Sequence, residues 1–141
     1  MKKSNHPELN MLQIKADIHL AGMAISDSKG QEAHYAKYLK GLAAYHIQQA
    51  TEKLVKIQIY SSNVKIDNSK IYKHSIGDLI SYSEDLGLKI MIPSYIRKQE
   101  ELITSWEAEG RYDTHVVVRI DTLQSCLKVV EEWYSSLLPK T

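Results

Sequence analysis

The stretch AAYHIQQATEKLVKIQIY, Ala43 to Tyr60, carries two helical stripes side by side. Ile47, Ala50, Leu54 and Ile57 step by three, four and three residues, the spacing of an apolar seam on a helix. His46, Gln49, Lys53 and Lys56 take the same steps one residue earlier each time, so they form a polar stripe that borders the seam instead of opposing it. A solvated face normally lies opposite the apolar one. Polar groups at the border predict a half-buried surface, at a cleft or a subunit contact. The plainer reading is a solvated face with a Glu52–Lys56 pair four apart, worth only about 0.3–0.5 kcal/mol.

Outward from this stretch the helical pattern continues in both directions. The helix extends from about Gln31 to Tyr60, roughly 45 Å at about 1.5 Å per residue. Gly41 inside it costs about 1 kcal/mol against Ala, a cost consistent with close helix approach. Before it, Met11, Ile14, Ile18, Ala21 and Ile25 give a first helix expected to start near Pro7-Glu8, with a polar break at Asp27-Ser28-Lys29-Gly30. After it, Ser61 to Lys70 has no apolar period and reads as an exposed loop. Ser75-Ile76-Gly77-Asp78 resembles a capping box that opens a third helix, with Ile76, Leu79, Ile80, Ser83 and Leu86 on one face and Gly87 as its stop. Pro93-Ser94 opens a fourth, with Ile96, Gln99, Ile103 and Trp106 inward and Gly110 at its end. The last helix shows Ile120, Leu123, Leu127, Val130, Tyr134 and Leu137, with Asp121 as its cap and Pro139 as its end. Val116-Val117-Val118 is too short and isolated for a sheet. The expectation is an all-α fold: one domain over 1–141, an up-down bundle of four or five helices.

Bulk composition agrees. A chain of 141 residues can bury roughly 68–70% of its unfolded surface and needs no disulfide or metal staple. A net charge of +1 advertises no global attraction to nucleic acid. Cys126 is the sole cysteine, so no intrachain disulfide forms; its apolar helical setting predicts a buried thiol. Trp106 and Trp133 fall in or near apolar stripes and are expected in the core. Nine tyrosines against no phenylalanine favour half-buried positions and are consistent with a dimer interface. Met1-Lys2-Lys3 leads into polar residues with no apolar h-region, and no run of about 18 apolar residues occurs, so no membrane segment and a cytoplasmic location are expected.

Several chemistries can be set aside. None of the residues three before the six histidines (Lys3, Ala16, Gln31, Ala43, Ile71, Tyr112) is Glu, so a di-iron bundle site is absent. No His-Glu-x-x-His, phosphate-cradling Gly-x-x-x-x-Gly-Lys or Gly-x-Gly-x-x-Gly occurs, and Ser26-Asp27-Ser28 lacks the Gly-Ser and paired Asp of a nucleotidyltransferase. No metal site and no cofactor are expected. Arg111 and His115, at a helix junction after Gly110, are the catalytic candidates. An Arg offers a planar fork of donors to phosphate and a His passes a proton near neutral pH, so the pair would cleave RNA without metal. In the plainer alternative Arg111 pairs with Asp113 or a helix end and His115 is a surface residue. His74, just before the third helix, is expected to hydrogen-bond locally, and Lys65, Lys70 and Lys73 to be solvated.

Three segments together resemble the HEPN family, the higher-eukaryote and prokaryote nucleotide-binding domains. Ala44-Tyr45-His46-Ile47-Gln48-Gln49-Ala50-Thr51-Glu52-Lys53 is similar to the family's A-x-x-x-x-Q-A-x-E-K core. Lys73-His74-Ser75-Ile76-Gly77-Asp78-Leu79 resembles its H-x-L-x-x-L helix opening, and Arg111-Tyr112-Asp113 its Arg-Tyr-Pro/Asp turn. The resemblance spans roughly residues 9–137. It implies a bundle that usually dimerises and is either a metal-independent RNase, often a toxin, or a nucleotide-binding accessory subunit beside a small nucleotidyltransferase. RNase members separate Arg and His by four to six residues. Here three residues intervene, so the Arg-Tyr-Asp form resembles the branch for which the family offers binding. The expected function is thus a nucleotide- or RNA-associated accessory subunit, with His46, Gln49, Lys53 and Lys56 as binding residues. The alternatives are an RNase toxin using Arg111 and His115, and a helical interaction scaffold without ligand.

Overall fold

A computed structural model describes residues 10–107 and 118–139. Helix α1 spans Met11–Ser28 and α2 spans Ala33–Tyr60. Four shorter segments follow, α3 (Asn68–Ile71), α4 (Ile76–Asp85), α5 (Ser94–Lys98) and α6 (Glu100–Ser105), and then α7 (Ile120–Leu137). Among the described residues there is no strand, and none of the helices is long and apolar enough to cross a membrane.

Each start has a local cause. The Asn10 side chain accepts from the Gln13 amide at 2.9 Å and caps α1, while the start expected near Pro7-Glu8 falls outside the described residues. Residues 1–9 lie outside the described residues. Glu32 accepts from the amides of His34 and Tyr35 and starts α2; these bonds, that from His34 first, hold its carboxyl below the usual range. Ser75 Oγ accepts from the Asp78 amide at 3.2 Å, the cap expected for α4. Gly87, at φ +75, closes α4, with its amide donating to Glu84 and the Leu88 amide to Ser83. That bond pair is a Schellman ending.

Two expectations change. The Ser61–Lys70 loop contains the start of a helical turn, α3, which Asp67 caps and whose Ile71 is buried. The expected fourth helix is broken at Gln99, whose φ of −103 and ψ of 11 separate α5 from α6. Ile96, Ile103 and Trp106 still face inward across the break.

The long helix α2 is the centre of the fold. It packs against α1 as an antiparallel hairpin and also touches α4, α6 and α7. Ala43, Ala44, Ile47, Ala50, Leu54, Val55 and Ile59 from α2 meet Ile14 and Ala21 of α1, Leu79 of α4, Ile103 of α6 and Leu123, Cys126, Val130 and Trp133 of α7 in one core. Gly41 is buried. Trp106 and Trp133 are core residues, as their stripes predict, and the Trp133 indole donates to the Met91 carbonyl at 2.9 Å. The Cys126 thiol is fully buried, and burial pushes its pKa up to about 11 against a slight opposing effect of a hydrogen bond with Tyr95.

Candidate functional site

The polar stripe of α2 is half-buried, and two carboxylates organise it. Asp17 stands on the inner face of α1, three residues after Ile14 and four before Ala21, both buried. Its Oδ1 lies 2.9 Å from His46 Nδ1 and its Oδ2 lies 2.6 Å from Lys53 Nζ. A carboxylate only accepts, so His46 Nδ1 carries a proton. The Tyr45 ring meets the imidazole edge-on at 5.2 Å.

One turn further along α2, Glu52 collects a second set. Its Oε1 accepts from Gln48 Nε2 at 3.1 Å and lies 2.9 Å from His74 Nδ1. Its Oε2 accepts from Lys56 Nζ at 3.1 Å. Gln48 Nε2 also reaches the His74 carbonyl, at 3.3 Å, and Gln49 Nε2 donates to Gln48 Oε1 at 2.8 Å. His74 therefore bonds across the fold and not locally. Its side chain remains 60% exposed while Glu52 beneath it is nearly closed off, at 7%.

The stripe expected from sequence thus stays together, but its members differ. His46, Gln49 and Lys53 are half-buried and present an edge to solvent, whereas Lys56 turns inward to Glu52. The Glu52–Lys56 pair is present, but buried, so the value of an exposed i,i+4 pair does not describe it. Each cluster sets one anion against one cation. The partly exposed members of the stripe combine an imidazole and an ammonium held by Asp17 with an amide held by Gln48. Those groups suit hydrogen bonding to a polar, partly anionic ligand.

Arg111 and His115 lie outside the described residues. Lys65 and Lys70 are exposed beside Tyr82, with Lys70 Nζ 5.9 Å from the ring centroid. Between α4 and α6, Asp78, Glu100 and Glu101 line a hollow that repels phosphate. Among the described residues no three His, Cys, Asp or Glu side chains converge as a metal site requires.

Asp17 was missed from the sequence, Gln48 was given no role, Glu52 was read only as the partner of a solvated Lys56, and His74 was given a local partner. Asp17 did leave a signal: it is a carboxylate on the apolar stripe Ile14, Ala21, Ile25. Compared with known proteins, the chain matches no family model, no curated protein and no solved structure.

Proposed function

We propose that the chain is a HEPN-type helical bundle that works, as a cytoplasmic homodimer, as a nucleotide- or RNA-associated accessory subunit of a separately encoded nucleotidyltransferase. The observation that supports the ligand reading is the held geometry of His46, Gln49 and Lys53. Buried Asp17 holds the His46 ring and the Lys53 ammonium on one carboxylate, so both are ordered before any ligand arrives. Preorganised donors lose less entropy on binding a phosphate or base edge. Lys56 and Glu52 support this face from below.

The test is calorimetric titration with ATP and with a mixed-sequence RNA oligomer in EDTA, using wild type and Lys53→Met. Methionine retains the stem and loses the charge. Binding that weakens at least tenfold in Lys53→Met supports the reading. Absence of binding to either ligand, together with recovery of no nucleotidyltransferase in a pull-down from the host, rejects it. RNA cleavage in the same mixtures, lost in Arg111→Ala and His115→Ala, replaces it with the nuclease alternative.

A further inference from the structure

We infer that the line of side chains from Tyr35 to Lys53 on α2 is a track for single-stranded nucleic acid, whose bases stack on Tyr35 and Tyr38 and whose polar groups meet His46, Gln49 and Lys53. The inference rests on the ligand reading above and narrows the ligand from a mononucleotide to a strand. Tyr35 and Lys53 are about five helical turns apart, so they stand in line on α2, about 27 Å from each other. Tyr38, Leu42, His46 and Gln49 fall between them at steps of three or four and share that face. Exposure is graded along the line. Tyr35, Tyr38 and Leu42 are 53%, 50% and 39% exposed, and His46, Gln49 and Lys53 are half-buried.

The chemistry of the line selects the occupant. Its first half is aromatic and aliphatic, and its second half carries an imidazole, an amide and an ammonium. An amphipathic helix of another protein seats on a seam that stays apolar along its length. This line turns polar after Leu42. A nucleic acid strand meets both halves, with base faces that stack on aromatic rings and with base edges and phosphates that take hydrogen bonds. A duplex keeps its base faces inside the stack, so the tyrosines select single strands.

Charge and length agree. Along α2, Lys37, Lys40, Lys53 and Lys56 stand against one carboxylate, Glu52, which is buried on Lys56. At about 3.4 Å per nucleotide of stacked strand, the line takes up to about eight nucleotides. Single-strand sites cover roughly 4–16. A mononucleotide covers one end of the line and leaves the other bare. Lys53 is shared with Asp17, so stacking carries much of the binding, and the tyrosines are the residues to change.

The test is fluorescence anisotropy in EDTA with labelled single-stranded RNA of about 12 nucleotides, single-stranded DNA of the same sequence, the RNA duplex and labelled ATP. The proteins are wild type, Tyr35→Leu, Tyr38→Leu, Tyr38→Phe, Lys53→Met and, as a control elsewhere, Tyr72→Leu, with helicity checked by circular dichroism. Leucine keeps apolar bulk and removes the stacking face, whereas phenylalanine keeps the face. Tyr72 is 59% exposed and lies outside α2. The expected result is that a single strand binds at least about tenfold more tightly than the duplex or ATP. Its binding weakens about fivefold or more in Tyr35→Leu and in Tyr38→Leu and is kept in Tyr38→Phe and Tyr72→Leu. Binding of the RNA, the DNA or both in this pattern supports the track and identifies the strand. Binding that is lost in Lys53→Met but unchanged in both leucine variants of α2, or equal for duplex and single strand, overturns the track and leaves the ligand reading standing. No binding to any of the four overturns both and leaves this face to a protein partner.

Discussion

Asp17 takes one hydrogen bond on each carboxylate oxygen, from His46 and from Lys53, while standing on the inner face of α1. Removing one member of a buried pair costs more than the pair contributes, because the remaining charge is left without a partner. Asp17→Ala should destabilise the fold by about 3 kcal/mol in urea unfolding at pH 7. Asp17→Leu combined with Lys53→Met should recover most of that loss. A single variant within about 0.5 kcal/mol of wild type would mean that Lys53 escapes to water, which is the behaviour of an exposed pair. Cys126 gives a second residue-scale test. Its thiol is raised from 9.0 to about 11 by burial. Well below pH 9 it is protonated whether folded or unfolded, and its contribution to stability is fully present. As pH rises from about 9 towards 11 the unfolded thiol ionises before the folded one, so stability falls in that window. Tyr95, raised first by burial and then by Cys126, acts in the same direction. Iodoacetamide at pH 8 should label Cys126 slowly in the native protein and rapidly in urea. Equal rates would place the thiol outside the core.

At the scale of elements, what the sequence shows and what it hides divide along a physical line. Periodicity is a property of one helix, so the buried seam of α2 and the core positions of α4 and α7 were legible from spacing alone. So were the Ser75 cap and the Gly87 stop, which depend on neighbours within a turn. The identity of the stripe's partners was not, because Asp17 is 29 residues from His46 and 36 from Lys53, and only the hairpin register joins them. The break at Gln99 was equally hidden, since Ile96, Ile103 and Trp106 keep a helical spacing across it. One interhelix bond illustrates the same limit. The Thr104 hydroxyl donates to the Glu100 carbonyl at 2.7 Å and accepts from the Ile76 amide at 3.0 Å. The Ile76 amide is one of the first-turn donors of α4 that helix geometry leaves without an intrahelical acceptor, and α6 supplies one. Thr104→Val retains the shape and removes that acceptor, so it should cost about 1–2 kcal/mol by chemical denaturation. An unchanged midpoint would show that water replaces the hydroxyl at Ile76.

For the molecule as a whole, the position of α2 decides how it unfolds. One helix of 28 residues touches α1, α4, α6 and α7, so neither half of the chain has a core without it. The segment before α5 is fastened to the same helix: Gln58 donates to the Met91 carbonyl and accepts from the Met91 amide, while Trp133 of α7 donates to that carbonyl as well. Loss of α2 contacts therefore releases both the hairpin and the later helices, the condition for a single cooperative transition. The two probes needed to test this sit in different places. Trp106 and Trp133 are 1% and 2% exposed and report on the later helices, whereas far-ultraviolet circular dichroism draws heavily on α1 and α2, the two helices of the hairpin. Tryptophan emission should be blue-shifted in the native protein, and its urea midpoint should coincide with that of circular dichroism at one protein concentration. A fluorescence midpoint clearly below the dichroism midpoint would mean that the α1–α2 hairpin survives alone, so that its Asp17, His46 and Lys53 cluster holds together without the rest of the core.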